Sequence, residues 1–196
     1  MQIDRRRWPG RGAALGLCWL ALAVFPGGAG AAAPAAERAP DLWEKFGVVE
    51  FADGQPAPAF ALQDLDGRTH ALADFKGQVV AVNFWATWCT PCEWEMPSME
   101  VLHRRYRGKP FVLLGVSVDT GAADIFVRPY VKGKTITFQI LLDPTLKTSR
   151  AYRVRGLPTT FFVGPDGQLL GQVHGPRDWT TPEAFAFIDH LLVRAR

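Results

Sequence analysis

VVAVNFWATWCTPC, residues 79–92, passes from a largely apolar run into two cysteines separated by Thr90 and Pro91. Val79 to Trp85 carries no polar residue except Asn83, a pattern that fits a strand covered on both faces. The residues from about Thr90 to Arg107 read as a helix, so the cysteines stand where a buried strand hands over to a helix N-terminus. That position carries more information than the spacing. Unpaired N–H groups and the positive end of the helix dipole stabilise a thiolate, and can lower a cysteine pKa from about 8.5 into the range of roughly 3.5 to 7.5. Cys89 is therefore the expected nucleophile. Cys92, one helical turn further in, is placed to attack a mixed disulfide formed at Cys89 and release the partner.

Two other uses of a close cysteine pair fit less well. A zinc site needs about four ligands, and His70, His103, His174 and His190 show no paired spacing that would complete a set with Cys89 and Cys92. No metal site is expected. A purely structural disulfide across so short a loop contributes little, and a chain that relies on disulfide staples normally carries more than one pair.

Working outward, Phe60-Ala-Leu and His70-Ala-Leu flank Asp66-Gly67 and predict a β-hairpin. Phe111 to Val118 is a second buried strand, Ala122 to Lys132 a helix interrupted near Pro129, and Phe138 to Leu142 a short strand. Phe161-Phe-Val and Leu169 to His174 form a second hairpin about Pro165-Asp-Gly. Thr181 caps a final helix, with Pro182 in its first turn and Phe185, Ile188 and Leu192 on one face. Strands alternating with helices, closed by a hairpin and a helix, predict an α/β fold with a mixed sheet covered on both sides.

The chain has 196 residues, enough for one domain with an appendage. Its formal charge of +3 is an N-terminal matter, because residues 1–31 hold four of the 22 basic residues against Asp4 alone. The remainder is balanced, which gives no footing for nucleic acid. The same N-terminus reads as an address. A positive segment, Arg5 to Arg11, precedes the apolar run AALGLCWLALAVF (13–25) and a small-residue tract ending at Ala36. Residues 1–36 are expected to be a signal peptide or, if uncut, an N-terminal membrane anchor. Residues 37–53 are expected to be a linker, with 54–196 as the folded domain. Cys18 belongs to the apolar run, leaving Cys89 and Cys92 as the only cysteines of the body.

Phe84 to Cys92, with Glu95-Met96-Pro97 after it, resembles the thioredoxin superfamily and more narrowly the exported thiol-disulfide oxidoreductases of the TlpA/ResA/CcmG type. The likeness covers roughly residues 54–193. It implies a thioredoxin-like fold, a central mixed sheet flanked by helices, with an N-terminal β-hairpin and a helix and strand inserted over Thr120 to Leu142. Asn83 stands where ordinary thioredoxin has a buried Asp, and Pro97 matches a proline that kinks the active-site helix. Gly156-Leu-Pro-Thr-Thr160 resembles the superfamily's cis-proline loop, which places Pro158 beside the sulfurs and gives the Leu157 backbone to an incoming substrate strand. Glu95 matches the active-site glutamate of ResA-like proteins, whereas Glu93 and Glu100 read as solvated. Trp85 is expected in the core, and Trp88, Thr90 and Pro91 on a substrate-docking surface. Trp179 lies in a segment, Gly175-Pro-Arg-Asp-Trp, that resembles a recurring one in the family, and no role for it follows from sequence.

The resemblance implies a periplasmic protein-disulfide reductase with no cofactor beyond the Cys89–Cys92 dithiol. Its electrons would come from a membrane thiol carrier. Its clients would be exported proteins of the cytochrome c maturation or oxidase copper-site assembly type. A general disulfide oxidant or isomerase is the alternative within the same chemistry. A peroxiredoxin-like peroxidase would need Pro at Val82 and Thr or Ser at Ala86, and has neither. A copper-binding assembly protein would use a longer cysteine spacing and a distant histidine, for which His174 is only a weak candidate.

Overall fold

The computed structural model describes residues 40–51 and 54–194. In chain order the elements are helix α1 (Pro40–Phe46), strand β1 (Val49–Glu50), the hairpin strands β2 (Ala61–Asp64) and β3 (Thr69–Ala71), a 3-10 turn (Leu72–Phe75), β4 (Val79–Trp85), α2 (Thr90–Arg105), β5 (Phe111–Ser117), α3 (Ala123–Gly133), β6 (Gln139–Leu142), α4 (Lys147–Ala151), β7 (Thr159–Val163), β8 (Leu169–His174) and α5 (Pro182–Arg194). They build one mixed sheet in the order β1-β8-β7-β4-β5-β6-β2-β3. The apolar run read as a doubly covered strand is β4, buried at every residue, with β5 parallel on one side and β7 antiparallel on the other.

Alternation along β7 sorts the layers, because neighbouring side chains point to opposite faces. Phe162 meets Phe187 of α5 edge-on at 4.9 Å between ring centroids, while Phe161 meets Tyr152, at the end of α4, at 5.0 Å. Asn83 and Trp85 share the Phe162 face and carry it toward α2 and α3. The site is thus built on the more thickly covered side of the sheet. α5 begins as its sequence predicts, with the Ala184 N–H donating to Thr181 Oγ1 at 3.2 Å.

Three expectations need correction. Order does not wait for Gly54: residues 40–50, assigned to a linker, form α1 and β1. Trp43 and Phe46 are buried there, Trp43 lies edge-on to Phe187 at 4.9 Å, and β1 pairs with β8. Seven residues are too few to hold a helix by propensity, so its stability comes from α5, far along the chain. Pro129 does not interrupt α3, which runs unbroken past it. Packing of Val127 and Tyr130 against the sheet offsets the one backbone bond a proline removes. Finally, α4 has no counterpart in the sequence reading. Buried Asp143 holds its first turn by accepting from the Thr148 and Ser149 N–H groups. The expected signal or anchor segment, residues 1–36, lies outside the described residues, and among those described no helix is long and apolar enough to cross a membrane.

Candidate active site

Cys89 is the N-cap of α2, in extended backbone conformation, and its sulfur accepts the Cys92 N–H at 3.3 Å. Cys89 and Cys92 are joined in a disulfide. Cys92 is fully buried and Cys89 nearly so, leaving Cys89 as the point of access to the pair. The loop that delivers them is clamped from the next strand. Asp119, just past β5, accepts from the Thr87 N–H at 3.0 Å and the Thr87 hydroxyl at 2.6 Å, and is held in turn by Ser117 Oγ at 2.8 Å. The sequence reading missed this clamp, and no local signal could have revealed it.

Around the disulfide lies a groove of about 760 Å³, lined by Trp88, Cys89, Thr90, Pro91 and Leu157 among others. Trp88 is 69% exposed, a large apolar surface beside the sulfur. The Leu157–Pro158 peptide is cis, Pro158 is buried, and its carbonyl accepts the Gly175 N–H at 2.9 Å. Of the residues singled out from sequence, Trp88, Cys89, Thr90, Pro91 and Leu157 therefore line one groove.

Glu95 does not line that groove. It sits three residues after Cys92 on the buried side of α2, 2% exposed, and borders a separate cleft of about 570 Å³ with Ser98, Arg177 and Asp178. Its carboxylate has three donors: Asn83 Nδ2 to Oε1 at 2.8 Å, and the Arg177 N–H and Trp179 Nε1 to Oε2, each at 3.3 Å. Burial raises its pKa from 4.5 to about 7, against the opposing pull of those three hydrogen bonds. Asn83 also donates to Thr160 Oγ1 at 3.0 Å, tying the glutamate to the strand that follows the cis-proline. Trp179 thereby acquires a place: fully buried, packed on Phe46 and Phe162, with its one polar atom turned to Glu95. Pro97 lies inside α2, where Ser98 Oγ donates to the Glu95 carbonyl at 2.7 Å and accepts the Trp179 N–H at 3.1 Å.

The other acidic residues of α2 divide. Glu93 is exposed and paired with Lys134. Glu100, expected to be solvated, is buried instead, because Thr137 gives it both an N–H at 2.7 Å and a hydroxyl at 2.5 Å and Arg104 adds a third donor. These bonds hold its carboxyl below the usual range in spite of the burial. Trp85 is buried and Trp94 exposed. His174 is exposed on β8, with Nδ1 3.4 Å from Thr159 Oγ1, and among the described residues no three His, Cys, Asp or Glu side chains cluster as metal ligands.

Comparison with known proteins agrees with this geometry. The profile of the AhpC/TSA family matches residues 54–171. The thiol-disulfide oxidoreductase ResA of Geobacillus thermodenitrificans is 41% identical over 122 residues, 62% of this chain and 69% of that protein. ResA of Bacillus subtilis is 35% identical over 129 residues, 66% of this chain and 71% of its own. A crystal structure from Chlorobium tepidum, assigned as a thiol:disulfide interchange protein DsbE, superposes with a TM-score of 0.63 at 31% identity, covering 74% of this chain and 98% of that one. A redox-ready cysteine pair at the head of a helix, on a thioredoxin-like sheet and in a sequence this close to such relatives, has one reading: the chain belongs to the AhpC/TSA family, as one of its thioredoxin-like thiol-disulfide oxidoreductases.

Proposed function

We propose that this protein reduces disulfides in specific exported client proteins, of the kind handled in cytochrome c maturation or oxidase copper-site assembly, and is itself re-reduced by a membrane thiol carrier. The Cys89 thiolate attacks one sulfur of the client disulfide. The other client sulfur leaves as a thiolate and takes up a proton, giving a mixed disulfide. The Cys92 thiolate then attacks Cys89, expelling the second client sulfur, so that the client gains two electrons and the Cys89–Cys92 disulfide forms.

Cys92 must lose a proton to act, yet it is buried. Glu95, one turn away and with a pKa near 7, is suited to accept that proton at neutral pH and return it when the carrier restores the dithiol. The client segment lies in the groove over Trp88, Thr90 and Pro91, with its backbone paired to that of Leu157 ahead of Pro158. Residues 1–36 serve as the export signal or the anchor.

The observation that supports this reading most directly is the Cys89 sulfur, at the N-terminus of α2, opening onto a groove that a cis-proline loop borders. Cys92→Ser in the full chain should leave Cys89 covalently linked to its client, recoverable as a mixed disulfide on a non-reducing gel. Cys89→Ser should trap nothing. A partner held by Cys89→Ser and not by Cys92→Ser would reverse the two roles.

A further inference from the structure

The substrate groove is lined largely by apolar side chains such as Trp88, Pro91, Val118 and Leu146, and its charged lining is of one sign. Among the described residues, Arg150, at the end of α4, and Arg155, in the segment leading to the cis-proline, are the only ionisable side chains besides Cys89 on its walls. Arg155 is shared with a neighbouring cleft of about 490 Å³, whose basic lining among the described residues is Arg153, Arg155 and His174. All three arginines are exposed, and among the described residues none forms an ion pair. Arg150 only reaches the Thr145 carbonyl, at 3.4 Å. The nearby acids do not neutralise the strip at its surface. Asp119 and Asp143 are buried, and their oxygens are taken by Thr87 and Ser117, and by the Thr148 and Ser149 N–H groups.

Two cations without an ion pair thus line the groove beside the reactive sulfur with no acidic residue among its described lining, although the body of the chain, these two included, is balanced in charge. Guanidinium groups on one rim of a groove recognise carboxylates, because each presents a planar fork of donors that matches them. We infer that the client is a polypeptide whose disulfide lies in an extended, partly apolar segment with Asp or Glu close to the attacked cysteine, and that Arg150 and Arg155 select it. This rests on the docking groove proposed above and names the class of client that enters it. Such charges act chiefly on encounter, so the selection should appear in the second-order rate constant and weaken with salt.

The test uses the reduced full-length protein and two synthetic peptides, each with one disulfide and the same apolar residues, flanked by Asp and Glu in one and by Lys in the other. Bis(2-hydroxyethyl) disulfide and oxidised glutathione serve as small references. The acidic peptide should react about tenfold faster than the basic one at low ionic strength. The ratio should fall toward one in high salt, and it should invert in Arg150→Glu/Arg155→Glu. The salt dependence needs no variant, so poor folding of the charge reversal would not rescue the idea. Equal rates for both peptides at every salt concentration would overturn the charge selection while leaving the reductase reading intact. A preference seen only for oxidised glutathione would overturn the polypeptide assignment. Failure to reduce any of the four would overturn the docking and reductase reading itself.

Discussion

Glu95 is a carboxyl group placed where ionisation is costly. Its three hydrogen-bond donors stabilise the charged form, yet burial outweighs them and the pKa stands near 7 rather than 4.5. The unfolded chain therefore gives up this proton first as pH rises. Stability tied to Glu95 is fully present below about pH 4.5 and declines as pH climbs to about 7, by about 3 kcal/mol in total. Urea unfolding of the wild type and of Glu95→Gln across this range should give curves that diverge by that amount, the wild type losing more. Parallel curves would mean that the carboxylate is solvated and carries no proton at neutral pH. The glutamate itself was legible in the sequence, because its distance from Cys92 puts it on the same face of α2. Its surroundings were not. Arg177 and Trp179 reach it from more than 80 positions away, and Asn83 does so from a strand whose run showed only one polar residue. Glu100 is the converse case, a helix glutamate with nothing local to mark it, buried because Thr137 supplies donors across α2.

Among elements, those with a strong local period were readable and those held by distant partners were not. β4, β5 and the second hairpin announce themselves by predominantly apolar runs and by an Asp-Gly turn, and α5 by its cap. By contrast, α1 and β1 exist because of what they cover. Gly171 of β8 permits it, since a Cβ there would stand 2.8 Å from both the Trp43 ring and the Val49 carbonyl. Trp43 packs against Phe187, and Phe46 lies against both Phe187 and Trp179. This places the N-terminal helix one residue removed from Glu95. Trp43→Ala should cost about 3–5 kcal/mol of stability, read from the midpoint of urea unfolding. A loss below about 1 kcal/mol, the scale of an exposed site, would show that α1 is not part of the cooperative fold.

For the whole molecule, stability and redox direction are one quantity seen twice. Folding and disulfide formation close a thermodynamic cycle. The difference in unfolding free energy between the oxidised and reduced protein therefore equals the difference in potential between the folded and unfolded cysteine pair, with 30 mV worth about 1.4 kcal/mol. A reductant holds its disulfide more tightly when folded, so its oxidised form is the more stable one. An oxidant of the general kind does the reverse, because its reduced form is the stabilised one. Typical members of the two classes lie about 150 mV apart, or about 7 kcal/mol, well beyond the error of an unfolding curve. Both cysteines are buried here, so the fold acts on both redox states directly. Urea unfolding at pH 7 with and without a strong thiol reductant is expected to show the disulfide form unfolding at the higher urea concentration. The opposite order would assign the protein to disulfide formation, and the client proposed above would then have to be a dithiol awaiting oxidation.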